Sequence, residues 1–505
     1  MRQKKSFYNM IGAMASYLVS IIVSFVSQLF IVKVMGIEYS GINGLFTNII
    51  TILSVAELGI GETIIFKLYE PLAKGDYKKV SAWLCYYKKC YMYIFFIVIV
   101  IGLIICPIVP IIVGRVNFSE NIYLMYLIVL LDAAFSYLFS YKRSLIFADQ
   151  RNYIINIIHI IYIFFMNLFQ IAVLILTHNF YLFLLIKVIF RILQNALITI
   201  VANLKYKYIN EGTQQIDAKE KKDILNRIKA IMFQKVSFVI NKGIDNILIS
   251  IMIGIKTVGY YSNYFLIVGA VTSVVYQLIS SFSASIGNLL TENNKEKSYN
   301  IYKKINMLNS FITILCITLF SNLITPFITI WIGEEYLLHN MIIVSFSLYI
   351  YCDSIRRSIT IFKEASGICI EDRYMYLYMT IINLVTSVML CYFIGIDGVV
   401  LGTCIGYLFL ILFSYPKYIF KPVFGKKTLD YYKMNLKYFI CLVIIFLINW
   451  LIVQNFSISN NYFQLMVNAF IAITTTVIFF SICFCKTEEI KFYKNLILSK
   501  MRSDK

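Results

Sequence analysis

Gly254-Ile255-Lys256-Thr257-Val258-Gly259 joins two long apolar segments between Ile231 and Gly287, and the first segment carries Lys235, Asn241, Lys242, Asp245 and Asn246. The segment is of membrane length, so these polar side chains stand where water is scarce. The same design occurs once upstream. Gly36-Ile37-Glu38-Tyr39-Ser40-Gly41 also joins two apolar segments, and its glycines precede their counterparts by 218 residues (254 − 36 and 259 − 41). Both copies run on into aromatic and Asn-bearing starts: Asn43, Phe46 and Asn48 in one, Asn263, Tyr264 and Phe265 in the other. This spacing predicts internal repetition, a common way of building transporters.

The composition places the chain in a bilayer. Its 505 residues are 60% hydrophobic and only 14% charged, and the mean hydropathy of +0.77 is too high for a soluble protein of this length. A spanning helix takes about 20 mostly apolar residues. Roughly fourteen such windows are present, centred near Ser24, Leu53, Val100, Leu131, Phe165, Ile192, Ile240, Val274, Thr318, Ser354, Asn383, Leu408, Phe446 and Thr474. The expected fold class is therefore an all-α integral membrane protein with no large soluble domain.

The net charge of +20 points to topology rather than to nucleic acid. Lysines and arginines gather in alternate connections: Lys74, Lys78, Lys79, Lys88 and Lys89; Lys142, Arg143 and Arg151; Lys205 to Lys229; Lys295, Lys297, Lys303 and Lys304; Lys417, Lys421, Lys426 and Lys427. The other connections carry almost none, mainly Arg115 and Lys256. The positive-inside rule then puts both termini in the cytoplasm, with the basic loops against anionic lipid heads. The chain divides into an N-terminal six-helix bundle (1–204), a cytoplasmic basic linker (205–229), a C-terminal six-helix bundle (230–420), and two additional transmembrane helices with a cytoplasmic tail (421–505). The last two helices hold hardly any charge and read as packing or anchoring elements. Pro71 is expected to stop the second segment.

The eleven cysteines are scattered in apolar or inside segments, so no disulfide framework is implied. His159, His178 and His339 are isolated from one another, which assembles neither a metal site nor a histidine-based nucleophile. No phosphate-cradling glycine loop occurs. The chain is therefore read as a non-enzyme without cofactor or metal.

A Lys or Arg near the centre of a spanning helix costs roughly 2.5 to 3.5 kcal/mol on insertion scales and normally faces a bundle interior or a wet cavity. Lys187 and Arg191 share one face of the sixth segment, and Lys242 and Asp245 share one face of the seventh, where they can neutralise each other. Asp132, Ser136 and Ser140 form a polar stripe. Asp353 lies three and four residues before Arg356 and Arg357, the spacing of an ion-pair cluster, and snorkelling to the interface is the other reading for these arginines. Glu57 and Glu62 sit among glycines and, with Asp132, Asp245 and Asp353, are the candidates for ion pairing or coupling. Counting Lys187, Arg191, Lys235, Lys242, Arg356 and Arg357 against the acids leaves a cationic surplus, which suits an anionic substrate such as a phosphate or diphosphate.

Several motifs, in this order, carry a resemblance. They are Gly36-Ile37-Glu38-Tyr39-Ser40-Gly41-Ile42-Asn43-Gly44-Leu45-Phe46, Ala56-Glu57-Leu58-Gly59-Ile60-Gly61, Leu68-Tyr69-Glu70-Pro71-Leu72, Gly259-Tyr260-Tyr261-Ser262-Asn263-Tyr264, Ala284-Ser285-Ile286-Gly287-Asn288, and Gly395-Ile396-Asp397-Gly398-Val399-Val400-Leu401-Gly402-Thr403. Over nearly its whole length the chain resembles bacterial polysaccharide flippases of the Wzx type, in the multidrug/oligosaccharidyl-lipid/polysaccharide exporter superfamily. The resemblance implies about 14 transmembrane helices, as two six-helix bundles in a pseudo-symmetric V plus two C-terminal helices, working by alternating access. It implies an undecaprenyl-diphosphate-linked oligosaccharide as substrate, moved across the bacterial plasma (inner) membrane for capsule, exopolysaccharide or O-antigen-type synthesis. A polysaccharide polymerase, a chain-length regulator and a coupling ion (H+ or Na+) are the implied partners besides membrane lipids, and no nucleic acid is. The competing readings are a drug/cation antiporter of the same superfamily and a membrane polymerase or glycosyltransferase. The first expects acidic residues in the bundle, and the second a substantial outside loop.

Overall fold

The computed structural model describes residues 2–503, apart from 58–59, 115, 117, 211–215, 369–370 and 456–459. Among these residues the regular structure is helical throughout. The chain divides into two compact units, Met1–Asn263 and Tyr264–Lys505.

The first unit contains α1 (Arg2–Phe30), which ends in a π-helical turn at Ile31–Met35, then α2 (Ile37–Leu53), α3 (Ile60–Lys74), α4 (Tyr77–Ile105), the short α5 (Val109–Val113), α6 (Ile122–Tyr137), α7 (Ser140–Ala148), α8 (Asn152–Thr177), α9 (Phe180–Lys205) and α10 (Ala218–Met252). Helix α11 (Ile255–Ser280) begins in this unit. The second unit takes up the rest of α11 and continues with α12 (Ser283–Thr291), α13 (Lys295–Trp331), α14 (Met341–Ile355), α15 (Arg357–Ser366), α16 (Arg373–Ile394), α17 (Ile396–Phe409), α18 (Lys421–Phe424), α19 (Thr428–Gln454), α20 (Asn461–Phe484) and α21 (Glu488–Ser503).

The element order recurs at nearly the spacing of the glycine turns. Helix α11 starts 218 residues after α2 (255 − 37), and α13 starts 218 after α4 (295 − 77). Helices α14, α15, α16 and α17 follow α6, α7, α8 and α9 at 219 (341 − 122), 217 (357 − 140), 221 (373 − 152) and 216 (396 − 180) residues. Helix starts are fixed by side-chain caps that satisfy otherwise orphaned N–H groups. Asp76 accepts from Lys79 N–H at 3.0 Å, and Asn294, 218 residues on (294 − 76), accepts from Lys297 N–H at 3.0 Å. Asn121 and Asn179 cap α6 and α9 in the same way.

The two glycine turns pack against each other inside the first unit. Gly36 and Gly254 have φ of 99° and 133°, where an L side chain is strained. The helices that follow cross at their glycines: a Cβ added at Gly41 would fall on the carbonyl oxygen of Ile255, and one added at Gly259 on that of Ile37. The contact is reciprocal, since residue 41 relates to 259, and 37 to 255, by the same 218-residue offset. No side chain fits in either place, so the backbones of α2 and α11 lie in direct contact.

Among the described residues ten helices are long and apolar enough to cross a membrane, or eleven if α6 and α7, bent by 42°, count as one span. Their outer surfaces present large apolar side chains such as Ile22, Phe96, Leu168, Phe393 and Phe470, and the chain is a multi-pass membrane protein. The fourteen expected windows therefore exceed the helices that qualify by themselves. With the bent pair counted for the window near Leu131, three windows are left: that near Leu53 is interrupted between α2 and α3, that near Ser354 breaks at Arg356 between α14 and α15, and that near Ile240 lies on charged α10. Pro71 does not stop its helix; it sits inside α3, which runs on to Lys74. The proline costs the bond to the carbonyl of Lys67, and the helix runs only three residues beyond it.

Helices α19 and α20 are held to α13 by buried amides and hydroxyls rather than by apolar packing alone. Asn322 donates to Asn449 at 2.9 Å, Asn449 to Thr475 at 2.9 Å, and Asn468 to the carbonyl of Asn322 at 3.0 Å. Thr318 and Thr476 share a further bond of 2.9 Å. Between helices in lipid such bonds act as glue, because apolar surface has no preference for protein over lipid tails.

Candidate functional site

In the first unit the structure gathers charges that lie far apart in sequence. Asp132 on α6, nearly buried, faces α9, where Arg191 Nε bonds Asp132 Oδ1 at 3.0 Å and Lys187 Nζ stands 3.5 Å from Oδ2. Lys187 and Arg191 share a face because they are four residues apart on a helix. Arg191 also donates from Nη1 to Gln194 Oε1 at 3.2 Å and lies over the ring of Tyr162 on α8, 5.2 Å from its centre. Gln194 is buried and shares a 3.3 Å bond with His159 Nδ1. Asn195 donates to the carbonyl of Phe135, tying α9 to the last turn of α6. The guanidinium plane is thus fixed by an acid, an amide and a ring, while the Lys187 and Arg191 side chains keep 29% and 22% of their surface accessible. A planar fork held this way is preorganised for a phosphate or carboxylate oxygen.

Arg143 was not among the expected site residues. Its place in a basic connection made it look like a loop charge, but it stands on α7, beyond a bend where Phe139 adopts φ of 67°. There the charges of Arg191 and Glu57 act on it. The sequence did hold a signal: at 100° per residue Arg143 falls within about 20° of Asp132 on the same helical face, continuing the stripe of Ser136 and Ser140. Glu57, at the 3-10 turn before α3, accepts from Tyr91 Oη at 3.1 Å. Arg143, Lys187 and Arg191 together outnumber Glu57 and Asp132. The Glu62 side chain lies outside the described residues.

The remaining candidates fall elsewhere. Lys242, exposed, lies over Phe238 at 4.7 Å, and Asp245, buried, accepts from Tyr261 Oη at 3.0 Å. Lys235 is half-buried on the same helix. In the second unit Asp353 binds both arginines, Arg356 Nη2 at 2.5 Å and Arg357 Nη2 at 2.6 Å. Their guanidiniums lie over Tyr407 and Tyr276 at 4.3 and 5.0 Å. Arg356 is only 8% exposed, so it does not snorkel: α14 ends at Ile355, and the break turns the side chain into the protein. Lys363 and Asp372 form a second buried pair at 2.5 Å, joined by Tyr376.

No protein-family model and no curated protein sequence matches the chain. Its structure does match solved ones. The lipid II flippase MurJ in an inward closed conformation is similar at a TM-score of 0.66 and 18% identity, covering 97% of this chain and 99% of that one. The fold is that of the MOP-superfamily transporters. An inward-facing multidrug-resistance MATE family transporter of this superfamily gives a TM-score of 0.60 at 12% identity over 76% of this chain and 90% of that one. An outward-facing MATE transporter gives 0.54 at 13% identity over 81% and 92%. The MOP fold is thus shared by a lipid flippase and by drug transporters, and these neighbours are transporters rather than enzymes.

Proposed function

We propose that the protein is a Wzx-type flippase that moves an undecaprenyl-diphosphate-linked oligosaccharide repeat unit from the cytoplasmic to the outer leaflet of the bacterial plasma membrane, for capsule, exopolysaccharide or O-antigen-type polysaccharide assembly. In this reading the chain crosses fourteen times, both termini are cytoplasmic, and the site is exposed alternately to the two sides. A polymerase and a chain-length regulator take up the product, and H+ or Na+ supplies the coupling. The observation that carries the reading is the pairing of Lys187 and Arg191 with Asp132, with Arg143, on which Arg191 and Glu57 act, as a third cation. A site with one more fixed cation than anion gains by receiving a diphosphate, whereas a cationic drug would meet like charge. Tyr162, His159 and Gln194 add stacking and hydrogen-bonding surface beside the cations.

The test is a flipping assay in reconstituted vesicles with a lipid-linked oligosaccharide whose sugar is chemically accessible from outside. The wild type is expected to move the lipid, and the Lys187→Ala, Arg191→Ala double variant to reconstitute equally but move it at least tenfold more slowly. Wild-type inactivity with working control vesicles, together with efflux of a cationic dye, would replace this reading with the antiporter one.

A further inference from the structure

Each unit ties the segment before one helix to the first turn of another, but with different chemistry. In the first unit Glu120, two residues before α6, accepts from the backbone N–H of Phe180, the first residue of α9, at 3.2 Å, and also from Ser119 and Tyr39. Burial raises the Glu120 pKa, but these hydrogen bonds outweigh it and hold the carboxyl below the usual range. In the second unit the corresponding tie joins His339, two residues before α14, to Asp397, the second residue of α17, with Nε2 and Oδ2 2.5 Å apart. Ser345 on α14 donates to the other carboxylate oxygen at 2.8 Å. The His339 side chain is 55% exposed, while that of Asp397 is 1% exposed.

Asp397 differs in its counter-charge from the buried carboxylates Asp132, Asp353 and Asp372. Asp132, Asp353 and Asp372 are all paired with lysine or arginine. Around Asp397 no such cation is near in the sequence of any packed element. Helix α13 has none between Lys304 and Trp331, α14 has no charge before Asp353, α16 none after Arg373 and α17 none besides Asp397; α11 has only Lys256, in its first turn, eight residues before Tyr264, whose Oη accepts from the N–H of Leu338 at 3.0 Å, and the connecting turn contributes only Glu334 and Glu335. Among the described residues of the second unit, His339 is the basic side chain within ion-pair distance of Asp397. Removing a carboxylate from water without a charged partner is costly, so the pair is strongest with a proton on the imidazole.

We propose that His339, Asp397 and Ser345 form a proton-operated clasp that fastens the start of α14 to the start of α17 when His339 is protonated and loosens as the pH rises. Histidine changes charge between pH 5 and 8. The charge-assisted pair is complete while the imidazole carries two protons, and loss of one leaves a neutral hydrogen bond to a buried carboxylate. The first unit's tie uses a backbone N–H, which does not titrate, so the two units answer a pH change differently. The topology under Proposed function places this end outside, where the clasp would report external acidity; the clasp itself does not depend on the identity of the substrate.

The test compares the thermal unfolding midpoint of the full-length protein in nanodiscs at pH 5.5 and 8 for wild type, His339→Gln, Ser345→Ala and the controls His159→Gln and His178→Gln. Glutamine keeps a neutral donor and removes the charge. The wild-type Tm is expected to fall by about 2–4 °C more than that of His339→Gln, the change that losing one charge-assisted bond gives a domain of this size. Ser345→Ala should lower the Tm at both pH values and keep the difference. A His339→Gln protein with the wild-type pH dependence overturns the proposal. Should that variant fail to fold, amide exchange of residues 338–345 in the wild type, corrected for intrinsic rates, decides: equal protection at pH 6 and 8 overturns it, and several-fold lower protection at pH 8 supports it.

Discussion

Asp132 and Arg191 should affect anion binding in opposite directions if the cluster receives a diphosphate. Arg191 makes one charge-assisted bond to Asp132 at 3.0 Å and one bond to Gln194 at 3.2 Å, and among the described residues its other donors meet no protein acceptor. A charged hydrogen bond to a ligand contributes about 1.5–3 kcal/mol, so Arg191→Ala should weaken binding of a short-chain prenyl diphosphate roughly ten- to hundredfold. Lys187 still stands 3.5 Å from Asp132, which keeps the carboxylate paired and limits the damage to folding. Asp132→Asn removes the anion that competes for both cations. At an effective dielectric of about 20, discounted for partial exposure, a phosphate resting on Lys187 and Arg191 would be relieved of roughly 1–3 kcal/mol of repulsion. Binding should therefore tighten about tenfold or more, while flipping slows because release is harder. Calorimetric titration of each purified variant with farnesyl diphosphate measures both effects, and the unfolding midpoint checks that each is folded. A parallel loss of affinity in the two variants, or no change in either, would refute a ligand role and leave the cluster as an internal ion pair.

Three further outcomes are expected. Asp353→Asn leaves Arg356 and Arg357 without their shared anion and should cost about 3–5 kcal/mol, read as loss of folded protein on size-exclusion chromatography, with partial recovery in an Asp353→Asn, Arg356→Met variant. Gly254→Val, at φ of 133°, places a β-branched side chain where backbone strain costs about 1–3 kcal/mol; a wild-type Tm and transport rate would contradict it. Asn449→Leu removes the bonds to Asn322 and Thr475 and should cost roughly 0.6–1.7 kcal/mol, seen as faster proteolysis between α19 and α20 without loss of the remaining fold.

The sequence carried local relations well and distant ones poorly. The i+3 and i+4 spacing of Asp353 with Arg356 and Arg357 foretold their pairing, and the 218-residue recurrence of the glycine turn foretold the recurrence of elements, because both depend on position along the chain. Which cation meets Asp132 depends on how α6 packs on α9, so Lys187 and Arg191 could be named as candidates but not joined to it. Arg143 was missed for a different reason: charge alternation between connections assigns every basic cluster to a loop, and the bend at Phe139 that carries α7 back to the site has no glycine or proline to announce it. The Asn322, Asn449 and Asn468 tie escaped notice because uncharged amides in an apolar window barely lower its hydropathy, although their energetic consequence in lipid is considerable.

The reciprocal seat of Gly41 on Ile255 and Gly259 on Ile37 bears on how such a chain can evolve. Duplication normally frees one copy to drift while the other keeps its task, but here each copy is the other's steric partner, so neither glycine can be replaced unless the opposing backbone withdraws. Having withdrawn for one, it has partly made room for the other. Gly41→Ala and Gly259→Ala should then show positive epistasis, the double variant being less damaged than the two single losses would predict. The crossing would persist as a fossil of the repeat after most of the surrounding sequence had lost its likeness.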